Sequence, residues 1–146
     1  MIEKTIENWH KQLRGELQGG LDTLLADDVV FYSPVVFTPQ KGKDITKAYL
    51  NAAYETFGGD TSAAGAKPPA DDESEGFRYT KEVLSGSSAM LEFETEMDGK
   101  YVNGVDIITC NDEGRIAEFK VMIRPLQAVN TVHARMGAML KKMKAL

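Results

Sequence analysis

Residues 77–125 alternate between apolar and polar side chains, and short turn sequences divide them into segments of strand length. Asp-Gly at residues 98–99 is typical of a two-residue β-hairpin turn, and "NDEG" at residues 111–114 suits a four-residue turn. The pattern predicts four antiparallel strands, at residues 77–84, 88–97, 100–110 and 115–125. A chain with such a meander must bury one face of it, which constrains the fold more than any other feature.

The Asp-Gly turn sets the predicted pairing of the second and third of these strands. Counting outward from it places Leu91 opposite Asp106 and Phe93 opposite Gly104. Successive strand residues point to opposite faces, so Asp106 shares a face with Leu91 and Phe93. This first count therefore puts a carboxylic acid on the apolar side of the sheet.

The "NDEG" turn gives an independent count for the third and fourth strands. With Cys110 opposite Arg115, Phe119 is expected opposite Asp106. The two counts agree on the face of Asp106. The predicted apolar face holds Leu91, Phe93, Thr95, Val102, Gly104, Asp106, Ile108, Ala117, Phe119, Val121 and Ile123.

Asp106 presents a problem, because a charged carboxylate is costly to bury unless it has a partner. One interpretation is a structural aspartate bonded to backbone amides or to a basic residue. The other is a neutral, protonated acid facing a pocket. The facing positions on neighbouring strands hold no Lys or Arg, although a helix could still supply one.

The remaining segments predict helices around this meander. Apolar residues spaced by three and four indicate a first helix from Ile2 to near Gly19, and Asp22 is suited to capping a short second helix. Residues 28–36 predict a β-rich segment stopped by Pro34. Further helices are expected at 44–57 and 126–144. Residues 58–76 are rich in Gly, Ala, Pro and acids, which favours a flexible loop over an ordered lid.

Composition excludes several classes of function. A length of 146 residues suits a single domain, 1–146, and 17 basic against 22 acidic residues, net charge −5, argues against nucleic acid as a partner. The N-terminal "MIEKTIENWHKQL" lacks the apolar core of a signal peptide or membrane span, so a cytoplasmic protein without membrane contact is expected. Two histidines and one cysteine form no metal-binding pattern, and we expect no metal and no cofactor.

Several stretches resemble the SnoaL-like and ketosteroid-isomerase-like branch of the nuclear transport factor 2-like (NTF2-like) superfamily. They are "LLADDVVFYSPV", Gly42, "VDIITCNDEGRI" and "FKVMIRPL". The resemblance implies an α+β fold in which a curved antiparallel sheet wraps around N-terminal helices as a cone with one pocket, here with an extra C-terminal helix. It also implies a homodimer, because family members commonly pair through the outer face of the sheet.

The same resemblance assigns roles to three residues. The protonated aspartate of ketosteroid isomerases falls on Asp106, their proton-shuttling base on Ser33, and their first-helix tyrosine on Trp9. Serine without an activating partner is no base near neutral pH, and an indole has no acidity to exploit. The chain is therefore not expected to be a standard ketosteroid isomerase.

Two functions stay open. In the first, Asp106 is a general acid acting without a cofactor on a carbonyl or polyketide-like small molecule, as an isomerase or cyclase would. The alternative is a non-catalytic module for small-molecule binding or dimerisation. The predicted ligand-binding residues are Trp9, Ser33, Leu91, Phe93, Phe119, Val121 and Ile123. His10 could line the pocket, but both histidines are interpreted as exposed helix residues. Tyr32, Tyr49, Tyr54 and Tyr79 could each supply a phenol to a ligand, but as a group they are interpreted as core-edge residues.

Overall fold

The computed structural model describes residues 1–56 and 76–144, with the side chains of residues 143 and 144 excepted. Its elements, in chain order, are α1 (Ile2–Leu13), α2 (Gly20–Leu24), β1 (Leu25–Tyr32), β2 (Gln40–Lys41), α3 (Lys43–Thr56), β3 (Arg78–Ser85), β4 (Ser88–Met97), β5 (Lys100–Cys110), β6 (Ile116–Arg124) and α4 (Leu126–Lys144). The loop predicted at 58–76 lies, apart from Gly76, outside the described residues.

The strands form one curved sheet in the order β2-β1-β6-β5-β4-β3. This confirms the predicted α+β fold, including the C-terminal helix, but the sheet is mixed rather than antiparallel. β1 pairs with β6 in parallel, whereas the pairs from β3 to β6 are antiparallel. No turn joins β1 to β6 in sequence, so counting from turns could not reveal this pairing.

The register of β4 and β5 is as predicted from the Asp-Gly turn. Leu91 faces Asp106 and Phe93 faces Gly104. Asp98 and Gly99 both have positive φ, at 54° and 77°, as a tight two-residue hairpin requires. The strand residues on the inner face are buried, and Asp106 with them at 6% exposure.

The predicted register of β5 and β6 was wrong by two residues. Asp106 faces Val121, and Phe119 faces Ile108 instead of Asp106. A shift of two preserves the face to which each side chain points, because strand residues alternate with a period of two. Phe119 therefore still lies on the inner face, where it is 1% exposed.

The shift arises in the turn and just after it. Cys110 pairs with Ile116 rather than with Arg115, and the ladder has a bulge-type irregularity between Thr109 and Cys110. Each feature adds one residue to β6. Ile116 is fully buried as a result, whereas Ala117, predicted to face the core, is only half-buried.

The helices cover the inner face of the sheet. α1 contacts β3, β4 and β5, and it ends at Leu13 rather than near Gly19, just before Gly15, which adopts a left-handed φ of 73°. α3 packs on β1 and α4, while α4 packs on β4, β5 and β6. Val132 and Met136 of α4 are buried in the core.

Gly104 allows the side chain of Phe93 to pack directly against the backbone of β5. A Cβ atom added there would lie 2.5 Å from Cζ of Phe93 and 2.7 Å from the backbone oxygen of Met122. The ring of Phe93 thus occupies the space that a side chain at position 104 would need. This packing keeps the wall beside Asp106 apolar.

Candidate functional site

A cavity with a volume of about 170 Å³ lies between the inner face of the sheet and the helices α1, α3 and α4. Its wall is mainly apolar, and eight of the lining residues are aromatic. The aromatic residues are Trp9, Phe31, Tyr49, Tyr54, Phe77, Tyr79, Phe93 and Phe119. Among the described lining residues, Asp106 is the one carboxylate, and none is Lys or Arg. An apolar cavity with a few convergent polar groups is the usual form of a small-molecule site.

The structure brings together most of the residues predicted to bind a ligand. The cavity is lined by Trp9, Ser33, Phe93, Asp106, Phe119, Val121 and Ile123. Leu91 is the exception: it is fully buried in the core cluster that includes Ile2 and Ile6 of α1, and it does not reach the cavity. Its position opposite Asp106 places it on the correct face, but α1 covers it.

Asp106 lies near the middle of β5 and receives one hydrogen bond from a side chain in the described part of the protein. The hydroxyl of Tyr79 donates to Oδ2 of Asp106 at 2.6 Å. Burial raises the pKa of Asp106 to about 7, and the Tyr79 hydrogen bond acts in the opposite direction. No charged group in the described part of the chain contributes to this shift, so the ion-pair interpretation of Asp106 finds no support there.

A second hydrogen bond extends this contact to the first helix. Nε1 of Trp9 donates to the Tyr79 hydroxyl oxygen at 3.0 Å. Trp9 is 5% exposed, and its ring meets Phe119 edge to face with centroids 5.0 Å apart. The structure therefore contains a chain of donors running from Trp9 through Tyr79 to Asp106, which we call the Trp9–Tyr79–Asp106 chain.

Tyr79 is a site residue that sequence reasoning interpreted as a core-edge residue and did not connect to Asp106. Counting back from the turn between β3 and β4, where Ser85 faces Ser88, would place Tyr79 opposite Glu94 on the outer face. An irregularity in β3 between Tyr79 and Lys81 shifts the pairing by one, so that Tyr79 faces Phe93 and points inward. No turn residue or periodicity marks this position in the sequence.

Ser33 stabilises the turn that follows β1. Its Oγ accepts hydrogen bonds from the backbone N–H groups of Val35, at 3.1 Å, and Val36, at 3.3 Å. It lines the cavity at the position where ketosteroid isomerases carry a base. A hydroxyl held in this way supplies no carboxylate for proton abstraction.

The two histidines differ in environment. His10 is half-buried rather than exposed, and its Nε2 lies 2.6 Å from Oε2 of Glu82, outside the cavity lining. His133 is exposed, as expected, and lines the cavity from α4. Within the described residues, no group of three or more potential ligands could hold a metal ion. The helices described here include none that is long and apolar enough to cross a membrane.

Comparison of sequences alone finds nothing: no protein-family model and no curated protein matches the chain. Comparison of structures does. A steroid delta-isomerase from Pseudomonas aeruginosa aligns over 99% of this chain and 95% of its own, with 28% identity and a TM-score of 0.82. An uncharacterised protein with a cystatin-like fold from Silicibacter pomeroyi covers 92% of this chain and 83% of its own, with 27% identity and a TM-score of 0.72.

A third structure shows the fold alone. An NTF2-like protein of unknown function from Mesorhizobium loti aligns over 85% of this chain and 91% of its own, with 16% identity and a TM-score of 0.61. These likenesses agree with the α+β architecture and the curved sheet of this chain. The chain has an NTF2-like fold, and its likeness to the Pseudomonas aeruginosa steroid delta-isomerase agrees with the predicted resemblance to the SnoaL-like and ketosteroid-isomerase-like branch.

Proposed function

We propose that this protein binds an uncharged, largely apolar carbonyl compound, and that Asp106 donates a hydrogen bond or a proton to the carbonyl oxygen. The observation that carries the proposal is the carboxyl group of Asp106, 6% exposed in an aromatic cavity and hydrogen-bonded by Tyr79. A carboxyl group in such surroundings stays protonated to higher pH than an exposed one. It can therefore offer an O–H group to a ligand that an ordinary aspartate would repel.

The chemistry supported by this arrangement is general-acid catalysis without a cofactor. As a carbonyl compound forms its enol, negative charge develops on oxygen, and a neutral acid beside that oxygen stabilises the charge. A pKa of about 7 matches the acid to neutral conditions, because the proton is then neither held too tightly nor lost too early.

The residue at the base position limits the reaction class. Ser33 supplies no carboxylate to remove a proton from carbon, and the described lining contains no acid besides Asp106. A suitable substrate must then have a C–H bond acidic enough to release its proton to water, as the precursor of an aldol cyclisation has. We therefore favour a cyclase or isomerase of activated carbonyl compounds over the steroid isomerisation named for the Pseudomonas aeruginosa protein.

The proposal is tested by binding of 4-(dimethylamino)benzaldehyde. The absorption of this probe moves to longer wavelength when its carbonyl accepts a strong hydrogen bond. At pH 5.5 the probe should absorb at longer wavelength in the native protein than in Asp106→Leu. The Kd should weaken about tenfold in the variant, since one hydrogen bond is lost. Asp112→Leu, the same change at an exposed turn residue, is the control. Identical spectra and affinities for the native protein and Asp106→Leu would contradict the proposal.

Stability should depend on pH through Asp106. Its folded pKa, about 7, lies above the usual 3.8, so the folded state holds a proton that the unfolded chain releases, and stability falls as pH rises from about 4 to 7. The Asp106→Asn variant lacks this loss. Between pH 4.5 and pH 8 the native protein should lose about 3 kcal/mol of unfolding free energy relative to the variant, measured by urea denaturation.

The control for this comparison is Asp112→Asn, which should follow the native protein at every pH because Asp112 is exposed. If Asp106 instead belonged to a buried ion pair, Asp106→Asn would be destabilised at pH 8, by about 3 kcal/mol or more. That result would rule out the neutral-acid account.

We further propose that the protein forms a homodimer through the outer face of the sheet. Three apolar side chains there are about half exposed: Val83 at 52%, Met90 at 47% and Met122 at 51%. Charges of both signs, on Lys81, Glu92 and Arg124, border the same groove. Apolar residues ringed by complementary charges suit a surface that meets a second copy of itself.

The Met122→Glu variant tests this interface, because a two-fold axis would bring two buried negative charges together. Light scattering at micromolar concentration should give a dimer for the native protein and a monomer for Met122→Glu. Leu126→Glu, at an apolar residue 74% exposed at the start of α4, should remain a dimer. A monomeric native protein would refute the dimer, and a dimeric Met122→Glu would refute this interface.

A further inference from the structure

The Trp9–Tyr79–Asp106 chain has a direction. An indole N–H group can donate a hydrogen bond but cannot accept one. In the 3.0 Å contact between Nε1 of Trp9 and the Tyr79 hydroxyl, the tyrosine oxygen must therefore be the acceptor. The single hydroxyl proton of Tyr79 is then available for Asp106, whose Oδ2 lies 2.6 Å away.

We infer that Trp9 is a positioning residue that fixes this direction, so that protonated Asp106 carries its proton on Oδ1. Asp106 then binds ligands that accept hydrogen bonds more tightly than ligands that donate them. The inference rests on the proposed function, because it concerns the same cavity. It goes further in assigning the order of donors and acceptors to Trp9, which the proposed function leaves open.

In the reverse direction, Asp106 would donate its hydrogen bond to Tyr79. Its oxygen would have to accept a second hydrogen bond, from Asp106, while still accepting the one from Trp9. A phenol oxygen is poorly suited to this, because one of its lone pairs is conjugated with the ring. Removing the Trp9 donor would free the Tyr79 oxygen to accept from Asp106, and Oδ1 could then accept a hydrogen bond from a ligand.

The packing around the chain holds its members in place. The Trp9 ring is edge-on to Phe119, with centroids 5.0 Å apart. The Tyr79 ring is edge-on to Phe77 at 5.0 Å and to Phe93 at 6.4 Å. Rings fixed on several sides cannot turn to exchange partners, so the direction set by Trp9 is carried to Asp106.

Few other titratable groups face the cavity in the described part of the chain. They are Tyr49 and Tyr54 on α3 and His133 on α4, while the strands on either side of β5 place Leu91 and Val121 opposite Asp106. Behind Tyr79, the His10 ring lies 5.7 Å away and is paired with Glu82. None of these groups contributes to the pKa shift of Asp106.

Three bicyclic probes of similar shape separate acceptors from donors. 1-Indanone only accepts hydrogen bonds, indole donates through its N–H, and indene does neither through a heteroatom. At pH 5.5, below the Asp106 pKa of about 7, the native protein should bind 1-indanone about tenfold more tightly than indene in calorimetric titrations. Indole should bind no more tightly than indene.

The Trp9→Phe variant keeps an aromatic ring but removes the donor. Its indole affinity should rise to within about threefold of its 1-indanone affinity, because Asp106 can then accept as well as donate. Tyr79→Phe should narrow the difference between the indole and 1-indanone affinities in the same way. It replaces Trp9→Phe in this test if Trp9→Phe does not fold. Tyr32→Phe, at a tyrosine that stacks on Lys120 and does not line the cavity, should retain the native preference.

The outcomes distinguish this inference from the proposed function. If the native protein binds 1-indanone no better than indene, the proposed function fails. If it prefers 1-indanone but the variants at Trp9 and Tyr79 keep the full native preference, the proposed function stands and the directional role of Trp9 is refuted.

Discussion

Among the described residues, the carboxyl group of Asp106 is buried without a counter-charge, and much of the surrounding structure can be understood from that one constraint. Moving its pKa from 3.8 to about 7 corresponds to about 4 kcal/mol of penalty on the charged form. Such a penalty is a large part of the stability of a small protein. A residue that lowers stability at neutral pH, and that an asparagine could replace without charge, is better explained by function than by folding.

The surroundings of Asp106 combine dryness with a limited supply of hydrogen bonds. Phe93, packed over Gly104, keeps the adjoining wall apolar, and α1 supplies the indole of Trp9. Among the described side chains, Tyr79 provides the one hydrogen bond that lowers the pKa of Asp106. The pKa therefore stays near 7, and the carboxyl group can still lose its proton. Desolvation therefore raises the pKa of Asp106, and the hydrogen bond from the Tyr79 phenol lowers it. The described lining contains no lysine or arginine.

Sequence reasoning predicted the face of Asp106 but not its hydrogen-bond partner. The two outcomes differ because irregularities in β6 and in β3 shift the pairing by different numbers of residues. In β6, two extra residues displaced Phe119 along the sheet but left it on the inner face, so the prediction survived an incorrect register. In β3, a shift of one residue turned Tyr79 from the outer face to the inner face. Turn residues are visible in a sequence, whereas a bulge inside a strand is set by packing against the rest of the sheet.

The same reasoning explains which parts of the fold were predictable. Strands joined by short turns, and helices with a regular apolar spacing, depend on local sequence. The strands of the meander were placed to within a few residues, whereas α1 ends at Leu13, well before its predicted end near Gly19. The parallel pairing of β1 with β6 depends on how the helices and the long connection between them fold, which local patterns do not encode. Ser33 and Trp9 were placed on the cavity by family resemblance, and their hydrogen bonds then became clear only from the structure.

The central claim is that Asp106 keeps its proton up to a pH near 7, far above the range of an exposed aspartate. The most direct measurement is a carbon-13 NMR titration of protein labelled at the aspartate carboxyl carbon, with the Asp106 signal assigned by its absence in Asp106→Asn. The account predicts a midpoint near pH 7, set by burial against the Tyr79 hydrogen bond. A midpoint at or below about 4, the range of exposed aspartates, would show that the carboxylate is charged in the fold and would contradict the account.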